Sequence, residues 1–144
     1  MLALHFSYAV YAHAGIVPTG KTRWGDDVPT AHPGVYVIST EGVLTAPNLP
    51  DPERKFWVPD ELIIYIGRAK QLKRRLHQFR RHVYGSSSPH RGGQAILLLE
   101  GAKTITWAEV EDYGNAEAAL IEAFCARVGQ RPFGNRVRSA KLKL

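Results

Sequence analysis

The pattern of apolar and polar positions changes period at Gly67. Before it, Leu62, Ile63, Ile64 and Ile66 form a short, largely β-branched run, which predicts a buried strand over Glu61 to Ile66. After it, Leu72, Leu76, Phe79 and Val83 recur at helical spacing, and at about 100° per residue they fall on one narrow stripe. Strand, glycine turn and helix are therefore expected in that order. Another strand is predicted from His32 to Thr40, opened by Pro33-Gly34 and closed near Glu41-Gly42, and a third over Thr104 to Val110. From Met1 to Ala14 the even positions (Leu2, Leu4, Phe6, Tyr8, Val10) alternate as a strand would, whereas the apolar run Gln94 to Glu100 fits helix or strand equally.

Breakers and caps divide the rest. Pro47, Pro50, Pro52 and Pro59 mark Thr45 to Asp60 as an irregular excursion between two strands, and Tyr84 to Gly93 reads as a flexible, cationic loop. Asn115 is the predicted N-cap of a later helix, with Glu117 in its first turn and Gly129 just past its end. Ala118, Ile121, Cys125 and Val128 would line its buried face. Glu122 then lies on the border of that face, about 100° from Ile121. Glu117 falls nearer the apolar centre, where a first-turn carboxylate complements the helix dipole.

Charge sharpens the picture. Formal net charge is +6 and the sequence pI about 9.7, which favours an acidic partner, nucleic acid first. Between Gly67 and Leu99 there is no acidic residue, while Arg68, Lys70, Lys73, Arg74, Arg75, Arg80 and Arg81 surround the apolar stripe. With Leu76 and Phe79 as the centre of the buried face, Arg75 lies about 60–70° to one side and His82 slightly further round the same edge. Arg74, His77 and Arg81 point to solvent. An arginine on such a margin can reach across the neighbouring strand while its stem stays packed. A second basic patch follows Glu122, with Arg127, Arg131, Arg136, Arg138, Lys141 and Lys143 and no further acid.

The 144 residues, 44% of them hydrophobic, are expected to form one globular domain. Its core would run over about 32–135, with an N-terminal extension at 1–31, a proline-rich insertion at 41–60 and a basic tail at 136–144. No apolar run approaches the roughly 18 residues of a membrane span, and no basic segment precedes an apolar core, so neither a membrane partner nor a secretory signal is expected. Cys125 is the only cysteine, which excludes an internal disulfide and a cysteine-rich zinc site and fits a cytoplasmic location.

One motif is misleading. Gly15-Ile16-Val17-Pro18-Thr19-Gly20-Lys21-Thr22 matches the phosphate-binding pattern G-x-x-x-x-G-K-[ST]. That pattern works when a buried strand feeds the loop and a helix starts at the Lys-[ST]. Here Gly25, Pro29, Pro33 and Gly34 follow, and no helix of useful length can start there. The segment is expected to be a loop.

The candidates for chemistry are Tyr36, Tyr65, Arg68, Arg75, His90, Glu122 and Asn135. Gly34-Val35-Tyr36 on one strand and Tyr65-Ile66-Gly67 on the next resemble the paired signature of the GIY-YIG nucleases. The resemblance extends from about His32 to Asn135: a basic residue after the second tripeptide (Arg68), the helix arginine (Arg75), the glutamate of the later helix (Glu122) and the asparagine near the end (Asn135). It implies an α+β fold with a small three-stranded antiparallel sheet flanked by helices. The implied activity is hydrolysis of DNA phosphodiester bonds with one divalent metal, Mg²⁺ or Mn²⁺, held by Glu122. A single carboxylate with phosphate oxygens and water suits Mg²⁺, and Arg75 would offset charge on the transition state. Tyr36 would be the base that activates water, provided nearby cations lower its pKa from about 10. Tyr65 would orient water or phosphate, and Asn135 would fix geometry through neutral hydrogen bonds. On this reading DNA is contacted by Arg68, Lys70, Lys73, Arg74, Arg80, Arg81, His82, Arg91, Arg136 and Arg138, with RNA a second substrate class and a homo-oligomer expected for two-strand cleavage.

Three departures stand out. Phe79 occupies the position of a histidine common in the family, a role left to His82 or to His90, which resembles a loop histidine of some members. The connection between the two tripeptides is long, so it is a candidate for DNA contacts or an interface. These 144 residues show no zinc-finger spacing and no recognisable helix-turn-helix, so no separate target-reading module is expected among them. Two other functions are carried forward: a nucleic-acid-binding module of the same fold that does not cleave, and a nucleotide-binding protein acting through Gly15 to Thr22.

Overall fold

A computed structural model describes residues 7–42, 48–87 and 91–136. The elements in order are helix α1 (Tyr8–Ala14), strand β1 (Gly20–Arg23), strand β2 (Gly34–Thr40), the one-turn helix α2 (Asp51–Arg54), strand β3 (Ile63–Ala69), helix α3 (Leu72–Arg81), a 3-10 segment (Arg91–Leu98), strand β4 (Lys103–Glu109) and helix α4 (Tyr113–Val128). The architecture is α+β. Its sheet is antiparallel with the order β1-β4-β2-β3, four strands rather than the expected three.

The extra strand is the Gly-Lys-Thr of the misleading motif. Gly20 to Arg23 pair with Trp107 to Thr104 of β4, so Lys21 sits in an edge strand and not at the start of a helix. β4 needs a partner on the side away from β2, and the exposed Lys21 and Arg23 suit a strand at a sheet edge. A phosphate cradle is therefore not formed there, and the loop expected for this segment is instead a strand. The first described residues also depart from the expected strand. They form α1, where Tyr11 is buried and its hydroxyl donates to the Thr106 carbonyl. Seven residues of even-position alternation cannot distinguish a strand from two turns of helix.

Period-two alternation gives the sheet two apolar faces. Val35, Val37, Ile63, Ile66 and Ala108 pack under α1 and α4, against Tyr11, Leu120, Ile121 and Phe124. Tyr36, Ile38, Tyr65, Ile105 and Trp107 pack under α3 and the 3-10 segment, against Leu72, Leu76, Phe79 and Ile96. The predicted stripe of α3 is buried except for Val83, which is 68% exposed because the helix ends at Arg81 and the chain turns extended at His82. α4 begins earlier than expected: Asp112 is the N-cap, accepting from the Asn115 amide, and Asn115 donates its own side chain to Asp112. Its C-cap is Gly129 at φ 92°, the left-handed conformation glycine adopts without strain. The proline-rich excursion is not wholly irregular. Pro52 falls in the first turn of α2, where a missing N–H costs nothing.

β3 is the far edge of the sheet, and the chain closes that edge with side chains. The Gly134 amide donates to the Ile64 carbonyl, while Asn135 accepts from the Ile66 amide at 3.0 Å and donates to the Ile66 carbonyl at 2.8 Å. Ile66 is buried, so these two bonds replace a neighbouring strand. Asn135→Ala is expected to destabilise the fold by about 1–3 kcal/mol, since it orphans a buried donor and acceptor. Urea unfolding midpoints check this; a loss within a few tenths would show that water satisfies Ile66 equally well.

Candidate active site

Tyr36 and Tyr65 meet on one face of the sheet for reasons of register. Tyr36 lies directly opposite Gly67, and Tyr65 lies opposite Ile38, so the two tyrosines are diagonal neighbours. Ordinary alternation puts Tyr65 on the Tyr36 side, and the bulge between Ile38 and Ser39, with Ile63 opposite Ser39, adds Ile64 to that face and turns Ile63 to the other. The glycine is a steric requirement: a Cβ on Gly67 would stand 2.4 Å from Tyr36 Cζ and 2.7 Å from Tyr65 Cε2. A Cβ on Gly93 or Gly134 would stand 2.7 or 3.0 Å from the Tyr65 ring, so that ring sits in a slot walled by glycine backbone and by Phe79, whose ring meets it edge-on at 5.3 Å. The two tyrosine rings are 6.0 Å apart and their hydroxyls hydrogen-bond to each other.

Around the hydroxyls opens a cleft of about 290 Å³, lined by Tyr36, Tyr65, Arg68, Lys70, Arg75, Tyr113 and Glu117. It wraps the open end of edge strand β3. Arg75 comes from α3 on one face of the sheet, and Tyr113 and Glu117 come from the first turns of α4 on the other. Arg75 is half-buried, as its position on the helix margin predicts, and donates weakly to Gln78. The Glu117 side chain is 14% exposed, with Arg68 Nε 3.8 Å from its carboxylate.

These surroundings set the protonation states. Burial pushes both phenols well above the ordinary tyrosine value; Glu117 adds to the rise in both and Arg75 opposes it in both, while Tyr65 raises Tyr36 and the hydrogen bond with Tyr36 lowers Tyr65. Tyr36 is thus held protonated, opposite to the lowering that work as a base requires. Burial also raises the Glu117 carboxyl, and Arg68 pulls it partly back.

The carboxylate in this cleft is not the one picked out in the sequence. Glu122 is exposed and does not line it. Five residues advance a helix by about 140° and about 7.5 Å, so Glu117 and Glu122 cannot share a face. Glu117 was legible as a carboxylate near the apolar centre of α4, without a Lys or Arg one turn away to explain it. Its neighbouring cation is Arg68, near the end of β3 and far away in sequence. Tyr113 joins the cleft only because α4 starts two residues before the expected cap at Asn115.

Other expected site residues are placed elsewhere. His82 is buried, 4% exposed, and its ring bonds Gln94, so it packs the start of the loop after α3 and does not face a ligand at the surface. Arg80 is tied to Asp27 and to the Trp24 carbonyl. Arg136 pairs with Glu53 at 2.8 Å and lies 3.8 Å over the Phe56 ring, anchoring the chain after α4 to the α2 insertion. Both arginines therefore have internal roles that a count of cations does not reveal. Lys70, Lys73, Arg74 and Arg81 are exposed. His90 and Arg138 lie outside the described residues, as does the Arg91 side chain.

A carboxyl whose folded pKa exceeds its unfolded one binds more protons in the folded state. Its contribution to stability is therefore greatest at low pH and is lost as pH rises through the folded value. Glu117→Gln removes that loss. In EDTA the variant is expected to match the wild type near about pH 4 and to become the more stable of the two toward neutrality. Urea midpoints across that range test it, and a difference that does not change with pH would contradict a raised Glu117. No protein-family model, no curated protein and no solved structure matches this chain.

Proposed function

We propose that the chain is a metal-dependent endonuclease of the GIY-YIG type, cutting DNA in the cleft at the edge of β3, with Glu117 in the role the sequence suggested for Glu122. The observation that carries this reading is the convergence of two hydrogen-bonded tyrosines, an arginine and one carboxylate from four separate elements on a single open cleft. The donor set fits Mg²⁺ or Mn²⁺: one carboxylate facing a cleft with room for water and a phosphate oxygen. Among the described residues no three His, Cys, Asp or Glu side chains gather in a way that could cage a metal, so a zinc-type site is not what this set suits.

Glu117 would hold the ion. When bound, such an ion supplies positive charge to a phosphate oxygen and lowers the pKa of coordinated water. Arg75 offsets the negative charge that grows on the phosphate as its bond breaks, and Arg68 holds a neighbouring oxygen. The Tyr36 hydroxyl keeps its proton in the resting site and orients a water or phosphate oxygen, with Tyr65 completing the hydrogen-bonded pair. Work by Tyr36 as a base requires added positive charge in the cleft to overcome its burial.

A second reading, a DNA-binding module that does not cleave, is favoured by that same burial of both phenols. Nicking of supercoiled plasmid in Mg²⁺, Mn²⁺ or EDTA separates the two. Metal-dependent nicking is expected, with Arg75→Ala and Glu117→Ala each slowing it by about 10²–10³. Glu122→Ala is expected to stay within about twofold of wild type. Loss of nicking in Glu122→Ala alone would return the metal to that residue, and DNA binding with no nicking in any metal would establish the second reading.

A further inference from the structure

The cleft lies where two oppositely charged stretches of the chain meet. From Arg68 to Leu99 there is no Asp or Glu. From Thr104 to Ala126 there is no Lys, Arg or His, but there are five carboxylates: Glu109, Glu111, Asp112, Glu117 and Glu122. The first stretch supplies the end of β3 and all of α3; the second supplies most of β4 and the first turns of α4.

The α3 side is also grooved. The cleft shares Lys70 and Arg75 with a second concavity, which adds Gln71 and Arg74. That one shares Gln71 and Arg74 with a third, which adds Lys73 and His77. Lys70, Lys73, Arg74 and His77 are exposed along this path. Asp27 lines the third concavity, and its charge is offset by Arg80. On the α4 side Glu111 and Asp112 are exposed instead, so a phosphate chain leaving that way meets carboxylates.

We propose, resting on the reading of the cleft as a nuclease site, that the DNA strand is gripped on one side of the scissile phosphate only. It leaves the cleft across the N-terminal half of α3, past Lys70, Arg74, Lys73 and His77, and no phosphate is held on the α4 side. Lys70 to His77 spans on the order of 10 Å, which accommodates about three phosphates of one strand. A strand that ends just beyond the cut on the α4 side is therefore bound as well as a long one, so the enzyme tolerates substrates cut close to one terminus.

Two measurements test this and separate it from the nuclease reading. The first is the salt dependence of binding to a fluorescein-labelled 30-nucleotide DNA, single-stranded and as a duplex. The Lys73→Ala/Arg74→Ala double variant is expected to lower the slope of log Kd against log salt by about 1.4 for the single strand and about 1.8 for the duplex. Arg23→Ala, an exposed cation on β1 at the opposite edge of the sheet, is expected to leave it unchanged. An unaltered slope in the double variant overturns the proposal. The second replaces single phosphates by uncharged methylphosphonates, stepping outward from the cut. Slowed cleavage confined to about three positions on one side supports the groove, and equal slowing on both sides overturns it. DNA that is bound with the predicted slope change but never cut in Mg²⁺ or Mn²⁺ overturns the nuclease reading and leaves the groove standing. DNA that is cut with no slope change does the reverse, and DNA neither bound nor cut overturns both.

Discussion

The contact on which the rest depends is the Tyr36 ring lying across Gly67 between two adjacent strands. It fixes register, since only a residue without a Cβ can stand opposite that ring. It also fixes chemistry, since the ring's position brings its hydroxyl to the end of β3, where the Tyr65 hydroxyl and the cleft meet it. Gly93 and Gly134 extend the same logic to Tyr65, so three glycines from distant parts of the chain shape the slot for one side chain. A site built this way is held by close packing rather than by charge, so removing a charged residue from it should cost activity without unravelling the fold.

Charge is then distributed around that packed pair. β3 is an edge strand, and its outer side is closed by Gly134 and Asn135 only as far as Ile66. Beyond that point the edge opens between α3 and α4, which approach from opposite faces of the sheet. One helix is cationic and the other begins among carboxylates. Their junction therefore presents an arginine and a glutamate within one small cleft, without a cluster of acids repelling one another. Where cations have other work, as Arg80 does with Asp27 and Arg136 with Glu53, they bind loops to the body of the fold.

Much of this was legible in the sequence, because local periodicity and local breakers determine it. The strands around Tyr36 and Tyr65, the basic helix with Arg75 on its margin, and the C-cap at Gly129 follow from spacing and glycine placement, although Gly67, expected as a turn, lies inside β3, which runs on to Ala69. What was not legible depends on distant contacts. Gly20 to Arg23 become a strand only because β4 has an unpaired side, and α1 is a helix because Tyr11 reaches Thr106 across the sheet. Glu122 holds the motif position, yet it is exposed on α4 and Glu117 is the carboxylate that lines the cleft. Arg68, contributed by another strand, lies 3.8 Å from the Glu117 carboxylate in the cleft, a contact that spacing along α4 does not foretell. His82 looked like a surface histidine because nothing near it in sequence foretells Gln94 as its partner.

The central claim is that a divalent ion binds at Glu117, between Tyr36 and Arg75. The most direct test is a crystal grown with Mn²⁺ and a short DNA carrying an uncleavable linkage, with the anomalous signal located. The expected result is one Mn²⁺ peak at coordination distance from the Glu117 carboxylate, with a phosphate oxygen of the DNA as another ligand. A peak at Glu122, or DNA bound in the cleft with no ion beside Glu117, would contradict it.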